Sequence, residues 1–304
     1  MAAGNKSVTG RVACAGPFLL AVALLAVPAR AQVLGAHPAG AAIPPAAVPA
    51  AATPQVSGDP AKSAAPVLAA PAFSCATPAE FARFSNPLRH TARRIATGQP
   101  LTIVAIGSSS TAGAGASSPA ASYPSRLAVE LKQRFPALDI TVLNRGVNGE
   151  ETAQMMARFA TGVLAAHPDL VLWQVGTNSV LRDHPLKPHS VLLHEGVAQL
   201  KEAGADVVLI DLQFAPRVVA KAETPDMEDQ IALVAKEANV DLFNRFAVMR
   251  SWHEVQHIPF DVFVAPDQLH MNDWGYACVA KLLAASISEA ATRPIAAAAV
   301  RTGH

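Results

Sequence analysis

Five short apolar runs alternate with helical patterns along the chain, and this alternation is what most limits its possible folds. The runs are continuously apolar, which is typical of strands buried on both faces of a parallel sheet. They cover residues 101–106, 140–143, 170–175, 207–212 and 240–243. Helical patterns follow them at residues 123–135, 150–165, about 188–203, 226–238 and 272–290. Right-handed crossovers then predict a three-layer α/β/α fold, with a flavodoxin-like, doubly wound, parallel sheet of five strands.

The amino-terminal end of the chain has the features of a secretory signal. Lys6 and Arg11 precede an apolar stretch at residues 15–27, and Ala29-Arg30-Ala31 matches a small-x-small cleavage site. Residues 1–31 are therefore predicted to be a signal peptide cleaved after Ala31, and the mature protein is expected to be secreted or periplasmic. An uncleaved membrane anchor is the alternative, but the stretch is shorter than the roughly 20 residues that span a bilayer.

The rest of the chain divides by composition into a linker, a domain and a tail. Residues 32–74 are mostly alanine and proline, so they cannot bury enough surface to fold and are predicted to be a disordered linker. Residues 75–292 are the predicted folded domain, which is large enough for a single core. Residues 293–304 are predicted to be a flexible tail.

The charge pattern argues against a nucleic acid partner. The formal net charge is +1, and the basic residues are dispersed apart from one group at Arg89, His90, Arg93 and Arg94. We expect this group to lie on the solvated face of a helix, with a binding role as the alternative.

Two cysteines remain once the signal peptide has removed Cys14, namely Cys75 and Cys278. In an oxidising compartment they are predicted to form a disulfide. It would close a very long loop and stabilise the fold by about 4 kcal/mol in the chain-entropy picture. Two buried free thiols are the alternative.

The first predicted strand is followed by Gly107-Ser108-Ser109-Ser110-Thr111 and then by small residues at 112–116. Small residues let a substrate approach the backbone closely, and a serine beside a base can act as a nucleophile. Taken alone, the segment is more often a polar turn between strand and helix, or a phosphate cradle without the lysine of a P-loop.

The next two strands are followed by candidate hydrogen-bond donors. Gly149 lies at a predicted helix start, where backbone N–H groups are unpaired, and its missing side chain leaves its own N–H accessible. Asn178 closes Gly176-Thr177-Asn178 and carries a side-chain amide. The alternatives are that Asn178 only caps the following segment and that Gly146 only serves a turn.

A candidate base and its orienting group follow the last strand. Asp267 and His270 form the one Asp-x-x-His pair of the chain, and a spacing of three lets their side chains meet. His270 can accept a proton from a serine, while Asp267 holds the imidazole tautomer.

Together these segments resemble the motifs of the SGNH, or GDSL-type, hydrolases. Residues 107–113 are similar to the first motif, Gly-Asp-Ser-x-Ser, except that Ser108 stands at the aspartate position, where it can still accept a backbone hydrogen bond. The resemblance implies that Ser109 is the nucleophile, with Ser108 and Ser110 as alternatives. It further implies an oxyanion hole formed by the N–H groups of Ser109 and Gly149 and the amide of Asn178.

The function implied by the resemblance is that of a serine esterase of the SGNH hydrolase fold, working through an acyl-Ser109 intermediate without a metal or cofactor. Small residues near Ser109 suggest short acyl groups, such as O-acetyl esters on carbohydrate, and lysophospholipids are a second substrate class. After signal cleavage no membrane span is expected. A non-catalytic binding module is an alternative, motivated by the substitution at Ser108.

A competing signature is the zinc metalloprotease motif at His253-Glu254-Val255-Gln256-His257. Two histidines one helical turn apart would bind the metal, and Glu254 would activate water. However, Pro259 would end the helix, and neither a third histidine nor a downstream glutamate follows at a suitable spacing. The sequence therefore favours the serine site, with Trp252, His253 and His257 on a short helix near the pocket rim or on a solvated face.

Overall fold

The computed structural model describes residues 73–294. The predicted signal peptide, most of the predicted linker and most of the predicted tail lie outside the described residues. Five strands form one parallel sheet in the order β2-β1-β3-β4-β5. Their bounds are β1 Leu101–Gly107, β2 Ile140–Gly146, β3 Leu170–Gln174, β4 Asp206–Ile210 and β5 Asp241–Phe243. The predicted five-stranded, doubly wound parallel sheet is confirmed.

Twelve α-helices accompany the sheet within residues 73–294. They are α1 Ala79–Ala82, α2 Arg89–Thr97, α3 Ser109–Ala112, α4 Tyr123–Arg134, α5 Thr152–Ala157, α6 Thr177–Leu181, α7 Leu186–Glu202, α8 Pro216–Val219, α9 Thr224–Glu237, α10 Arg245–Arg250, α11 Phe260–Phe263 and α12 Asp273–Thr292.

The sheet is buried on both faces because neighbouring residues of its central strands enter two different cores. Ile103 and Ala105 of β1 pack on the side that carries α4 and α12. Val104 and Ile106 pack on the opposite side, with α5, α7 and α9. Burying one such aliphatic side chain contributes roughly 1.5–3 kcal/mol. Two helical layers on one sheet give the predicted α/β/α arrangement.

Strand β2 departs from the sequence-based expectation. It was expected to end at residue 143 and to be buried on both faces, but it continues to Gly146 as a partly exposed edge strand. Its last residues pair with β1, up to Gly107 opposite Gly146. Hydropathy could not predict this extension, because the pairing involves the backbone of polar residues.

The helix expected at residues 150–165 is interrupted. Helix α5 ends at Ala157 and is followed by a π-helical turn at Phe159–Val163 and a 3-10 turn at Leu164–Ala166. Gly162 is a poor helix former, and its carbonyl accepts a hydrogen bond from Nε of Arg145 at 3.1 Å. These features favour a local deviation from α-helical geometry.

The two ends of the described domain are tied together. The structure joins Cys75, ahead of α1, to Cys278 on α12 through a disulfide, with their Cα atoms 5.2 Å apart. Arg293, placed by the sequence analysis in the tail, instead donates to the carbonyl of Phe84 at 2.7 Å. In the part of the chain that the structure describes, every helix is too short or too polar to cross a bilayer.

Candidate active site

The predicted nucleophile lies directly after β1, at the carboxyl edge of the sheet. Ser109 is the first residue of α3 and is half-buried. The backbone here is closely packed against β2, since a Cβ atom added to Gly146 would lie 2.1 Å from the backbone nitrogen of Ala112. Gly146 therefore lets the helix that begins at Ser109 pack directly against the end of β2. The glycine thus has a packing role in addition to any role in a turn.

Ser108 does not play the part expected of it from the sequence. Its hydroxyl was expected to accept a backbone hydrogen bond, but it donates to Oε1 of Gln174 at 3.0 Å. The backbone N–H of Ser108 donates to the same oxygen at 2.9 Å. Gln174 ends β3 and is buried, so it holds the turn ahead of Ser109. Gln174 could not be predicted from the sequence, because a polar residue at a strand end has no distinctive local pattern.

Ser109, His270 and Asp267 form a continuous chain of hydrogen bonds. Oγ of Ser109 lies 2.8 Å from Nε2 of His270, and Nδ1 of His270 lies 2.5 Å from Oδ2 of Asp267. The other carboxylate oxygen, Oδ1, accepts the backbone N–H groups of Leu269 and His270, each at 3.0 Å. Of the three successive serines, Ser108 and Ser110 are buried and Ser109 is the one bonded to His270.

The loop that carries Asp267 and His270 has a defined backbone shape. The backbone N–H of Ala265 donates to the carbonyl of His270 at 2.8 Å, and Gln268 between them has a φ of 59°. Although partial burial opposes ionisation of Asp267, its hydrogen bonds to the imidazole and to the N–H groups of His270 and Leu269 hold the pKa of the carboxyl below its usual range. The carboxylate is thus ionised while it orients the ring.

Gly149 follows β2, and Asn178 follows β3 and is bonded to the residue after Gly149. Gly149 has a φ of 79°, a conformation that favours glycine. Nδ2 of Asn178, on α6, donates to the carbonyl of Glu150 at 2.8 Å. This bond fixes the amide and uses one of its two N–H groups, which leaves the second for another acceptor. The structure therefore ties Asn178 to the loop that contains Gly149.

Arg182 was not identified from the sequence, yet it contacts this pair. Its Nη2 donates to the carbonyl of Gly149 at 2.9 Å, and its Nη1 is bonded to Glu151. Glu151 also accepts from Ser179 at 3.0 Å and lies 2.9 Å from Nδ1 of His184. Burial alone would raise the pKa of Glu151, but its bonds to His184, Arg182 and Ser179 lower it. An ionised carboxylate thus holds the guanidinium against the Gly149 loop.

The zinc metalloprotease signature does not form a single helical face. A π-helical turn ends at Val255, and His257 lies beyond it with a φ of 56°. The ring of His253 stacks on Phe260 with centroids 3.9 Å apart, and its Nδ1 lies 3.0 Å from the carbonyl of Ile258. Within residues 73–294 no three His, Cys, Asp or Glu side chains are grouped as a metal site. The helical spacing that this motif requires is therefore not formed. Trp252, expected with the two histidines near the rim or on a solvated face, is instead fully buried.

Comparisons with known proteins agree with this architecture. A protein-family model described as the non-GDSL lipase-like family matches residues 74–293. An arylesterase of Vibrio mimicus is 33% identical over 95 residues, which cover 31% of this chain and 46% of that protein. An acetylxylan esterase of Geobacillus stearothermophilus is 26% identical over 161 residues, which cover 50% of this chain and 74% of that protein. The chain thus matches less than half the length of the arylesterase.

A solved structure has the same fold. A two-domain esterase active on acetylated mannans superimposes with a TM-score of 0.59 at 22% identity, over 70% of this chain and 56% of the other. At this identity the likeness concerns the arrangement of strands and helices.

Proposed function

The chain belongs to the non-GDSL lipase-like family, among the SGNH-type hydrolases, and from this premise we propose that it is a serine esterase that hydrolyses carboxylic esters. The observation that carries the proposal is the hydrogen-bond chain from Oγ of Ser109 through His270 to Asp267. A hydroxyl on an imidazole that is oriented by a carboxylate is the arrangement that activates serine for acyl transfer.

In the first half-reaction Oγ of Ser109 attacks the ester carbonyl carbon while Nε2 of His270 takes its proton. The carbonyl π electrons move to oxygen and return when the C–O bond to the alcohol breaks. His270 then gives its proton to the leaving alkoxide, which departs as the alcohol. In the second half-reaction water attacks acyl-Ser109 in the same way, and the carboxylic acid is released with Ser109 regenerated.

The developing negative charge on the carbonyl oxygen is stabilised by three donors in this proposal. They are the N–H groups of Ser109 and Gly149 and the free N–H of the Asn178 amide. Such donors act strongly because they are oriented before the reaction, and removing one raises the barrier by about 3–4 kcal/mol. The bond from Asn178 to the carbonyl of Glu150 supports this role, since it fixes the amide without using both of its hydrogens.

Short acyl groups on carbohydrate are the proposed substrate class. Two features support it: the small residues that follow the nucleophile, from Ala112 to Ala116, and the similarity to an acetylxylan esterase. Secretion or periplasmic export is proposed from the signal-like residues 1–31.

Hydrolysis of p-nitrophenyl acetate by wild type and Ser109→Ala tests the proposal. We expect Ser109→Ala to lose at least about 10³-fold in kcat, and the control Ser110→Ala, a buried neighbour without a bond to His270, to stay near wild type. A serine-directed organophosphonate should label the peptide that contains Ser109. Equal rates for wild type and Ser109→Ala would refute the nucleophile assignment.

A second measurement tests the substrate class. Acetate should be released from acetylated xylo-oligosaccharides. In a series of p-nitrophenyl esters of increasing acyl length, the rate should be highest for the acetate and lower for the longer acids. A preference for long acyl chains or lysophospholipids would overturn the proposed substrate while leaving the esterase chemistry in place. Activity that a chelator abolishes would argue for a metal-dependent reaction instead.

A further inference from the structure

Gln213 is a buried side chain whose amide connects three separate elements. It follows β4 and is 1% exposed. Its Oε1 accepts from Oγ1 of Thr177 at 3.0 Å and from Nη2 of Arg245 at 2.9 Å. Its Nε2 donates to the carbonyl of Leu269 at 3.3 Å. A single amide group thus spans the start of α6, the start of α10 and the loop before α12.

The orientation of this amide is dictated by its partners. A guanidinium can only donate a hydrogen bond, so Arg245 must face the oxygen of Gln213. A backbone carbonyl can only accept, so Leu269 must face the nitrogen. A glutamate here would place an oxygen against the carbonyl of Leu269, and a leucine would satisfy neither partner.

Two of these partners are sequence neighbours of proposed active-site residues. Thr177 directly precedes Asn178, the proposed oxyanion donor. Leu269 directly precedes His270, the proposed base, and its N–H is bonded to Asp267. Gln213 therefore links the backbone segment that carries the donor to the segment that carries the base.

The third partner anchors the link to the body of the domain. Arg245 is fully buried, and its Nη2 also donates to the carbonyl of Asp211 at 2.6 Å. Oδ1 of Asp211 accepts the backbone N–H of Phe246 at 3.0 Å. The segment after β4 and the start of α10 are thereby joined, so Gln213 is anchored at α10 on one side and holds the start of α6 and the loop before α12 on the other.

We propose that Gln213 is a positioning residue that sets the separation of the Asn178 amide and the His270 imidazole. The proposal rests on the proposed esterase function, because it assigns those two groups to one reaction. Gln213 does not touch the substrate. It acts through Thr177 and Leu269, and a small displacement of either segment would misalign donor and base in the transition state.

Two variants separate the two arms of the link. Gln213→Glu keeps an acceptor for Arg245 and Thr177 but loses the donor to Leu269. Thr177→Val keeps the shape of Thr177 but loses its bond to Gln213. Gln230→Leu is the matched control, since Gln230 is a half-buried glutamine on α9 whose Oε1 lies 3.3 Å from Nδ1 of His189.

The kinetic readout is kcat and KM for p-nitrophenyl acetate on folded protein, checked by thermal unfolding. We expect Gln213→Glu to lower kcat about 10- to 100-fold with KM nearly unchanged, because misplacement by about 1 Å costs on that scale. Thr177→Val should lower kcat less, and Gln230→Leu should match wild type. Wild-type kcat in folded Gln213→Glu overturns the proposal, as does an equal loss in Gln230→Leu.

The second readout is the proton NMR signal of the hydrogen bond between Nδ1 of His270 and Asp267. It should shift or broaden in Gln213→Glu and stay in place in Thr177→Val, since only the first variant releases Leu269. An unchanged signal in Gln213→Glu overturns the proposal. If that variant does not fold, full activity of Thr177→Val overturns it instead. Absence of esterase activity in wild type would refute the proposed function. The NMR comparison would still test whether Gln213 positions His270 through Leu269.

Discussion

One oxygen of Gln174 accepts both the backbone N–H and the side-chain hydroxyl of Ser108, at 2.9 and 3.0 Å. The two residues lie on neighbouring strand ends, since β1 pairs with β3. Ser108 occupies the position at which SGNH hydrolases normally have aspartate. In this structure the serine at that position is bonded to a buried partner, Gln174. Ser108 and Gln174 are compatible because one donates twice and the other accepts.

Restoring the aspartate should destabilise this protein. In Ser108→Asp the carboxylate can only accept, so the amide of Gln174 must turn its nitrogen towards it and leave the N–H of residue 108 without an acceptor. A buried unpaired donor costs about 1–3 kcal/mol, which urea unfolding can measure. Ser108→Ala is the control, because it removes only the hydroxyl and should cost about 1 kcal/mol. Stability of Ser108→Asp equal to wild type would contradict this account.

Asp267→Asn should abolish most of the esterase activity without unfolding the protein. An amide oxygen or nitrogen cannot stabilise the imidazolium as the carboxylate does, and it can select the wrong tautomer of His270. We expect kcat to fall by up to about 10⁴-fold. Asp261→Asn, at an exposed aspartate on α11, should retain wild-type kcat in the same assay. A fall of less than about tenfold in Asp267→Asn would remove Asp267 from the proposed triad.

Arg182→Met should weaken the proposed oxyanion hole indirectly. The guanidinium holds the carbonyl of Gly149 at 2.9 Å, so its loss lets the glycine loop move. We expect kcat to fall about tenfold, less than the roughly 100-fold or greater loss on removing a donor directly, as in Asn178→Ala. Arg250→Met is the control, because Arg250 forms an exposed 3.9 Å pair with Glu254 on another part of the surface. Equal kcat for Arg182→Met and wild type would show that the loop keeps its shape without Arg182.

His189 should make the protein less stable at acidic pH. Burial lowers the pKa of this imidazole to about 4 in the folded protein, against 6.5 in an exposed chain. Between these values the unfolded chain binds a proton that the folded protein does not, so the free energy of unfolding falls as pH drops from about 6.5 to 4. The full difference is on the order of 3 kcal/mol.

Urea unfolding at pH 7 and pH 4.5 measures this effect. His189→Gln should show a smaller loss of stability between the two pH values than wild type does. An identical pH dependence in wild type and His189→Gln would rule out His189 as the source.

The disulfide should contribute strongly to stability. It links residues 203 positions apart, so it restricts the unfolded chain over nearly the whole domain. Reduction, or Cys75→Ser, should lower the free energy of unfolding by about 5 kcal/mol in the chain-entropy picture. Thiol titration of denatured protein lacking residues 1–31 should find two thiols with reductant and none without it. Two thiols before reduction would show that the pair is free.

The sequence by itself determined the layered fold and the sheet edge at which the candidate site lies. Continuous apolar runs and helical periods are local properties, so the five strands and the long helices α4, α7, α9 and α12 could be predicted from neighbouring residues alone, whereas the short helices could not. Segments that follow parallel strands must meet at one edge of the sheet, so the sequence alone predicts that Ser109, Gly149 and Asn178 lie at the same edge.

The tertiary structure decided which atoms meet. The sequence favours Ser109 but leaves Ser108 and Ser110 as alternatives, and packing buries those two while Ser109 faces His270, 161 residues away. Gln174, Arg182 and Gln213 had no local signature, because each is defined by a partner that is distant in the chain. The edge position of β2 and the interruption after α5 were missed for the same reason: backbone pairing and side-chain contacts between segments are energies that no single segment contains.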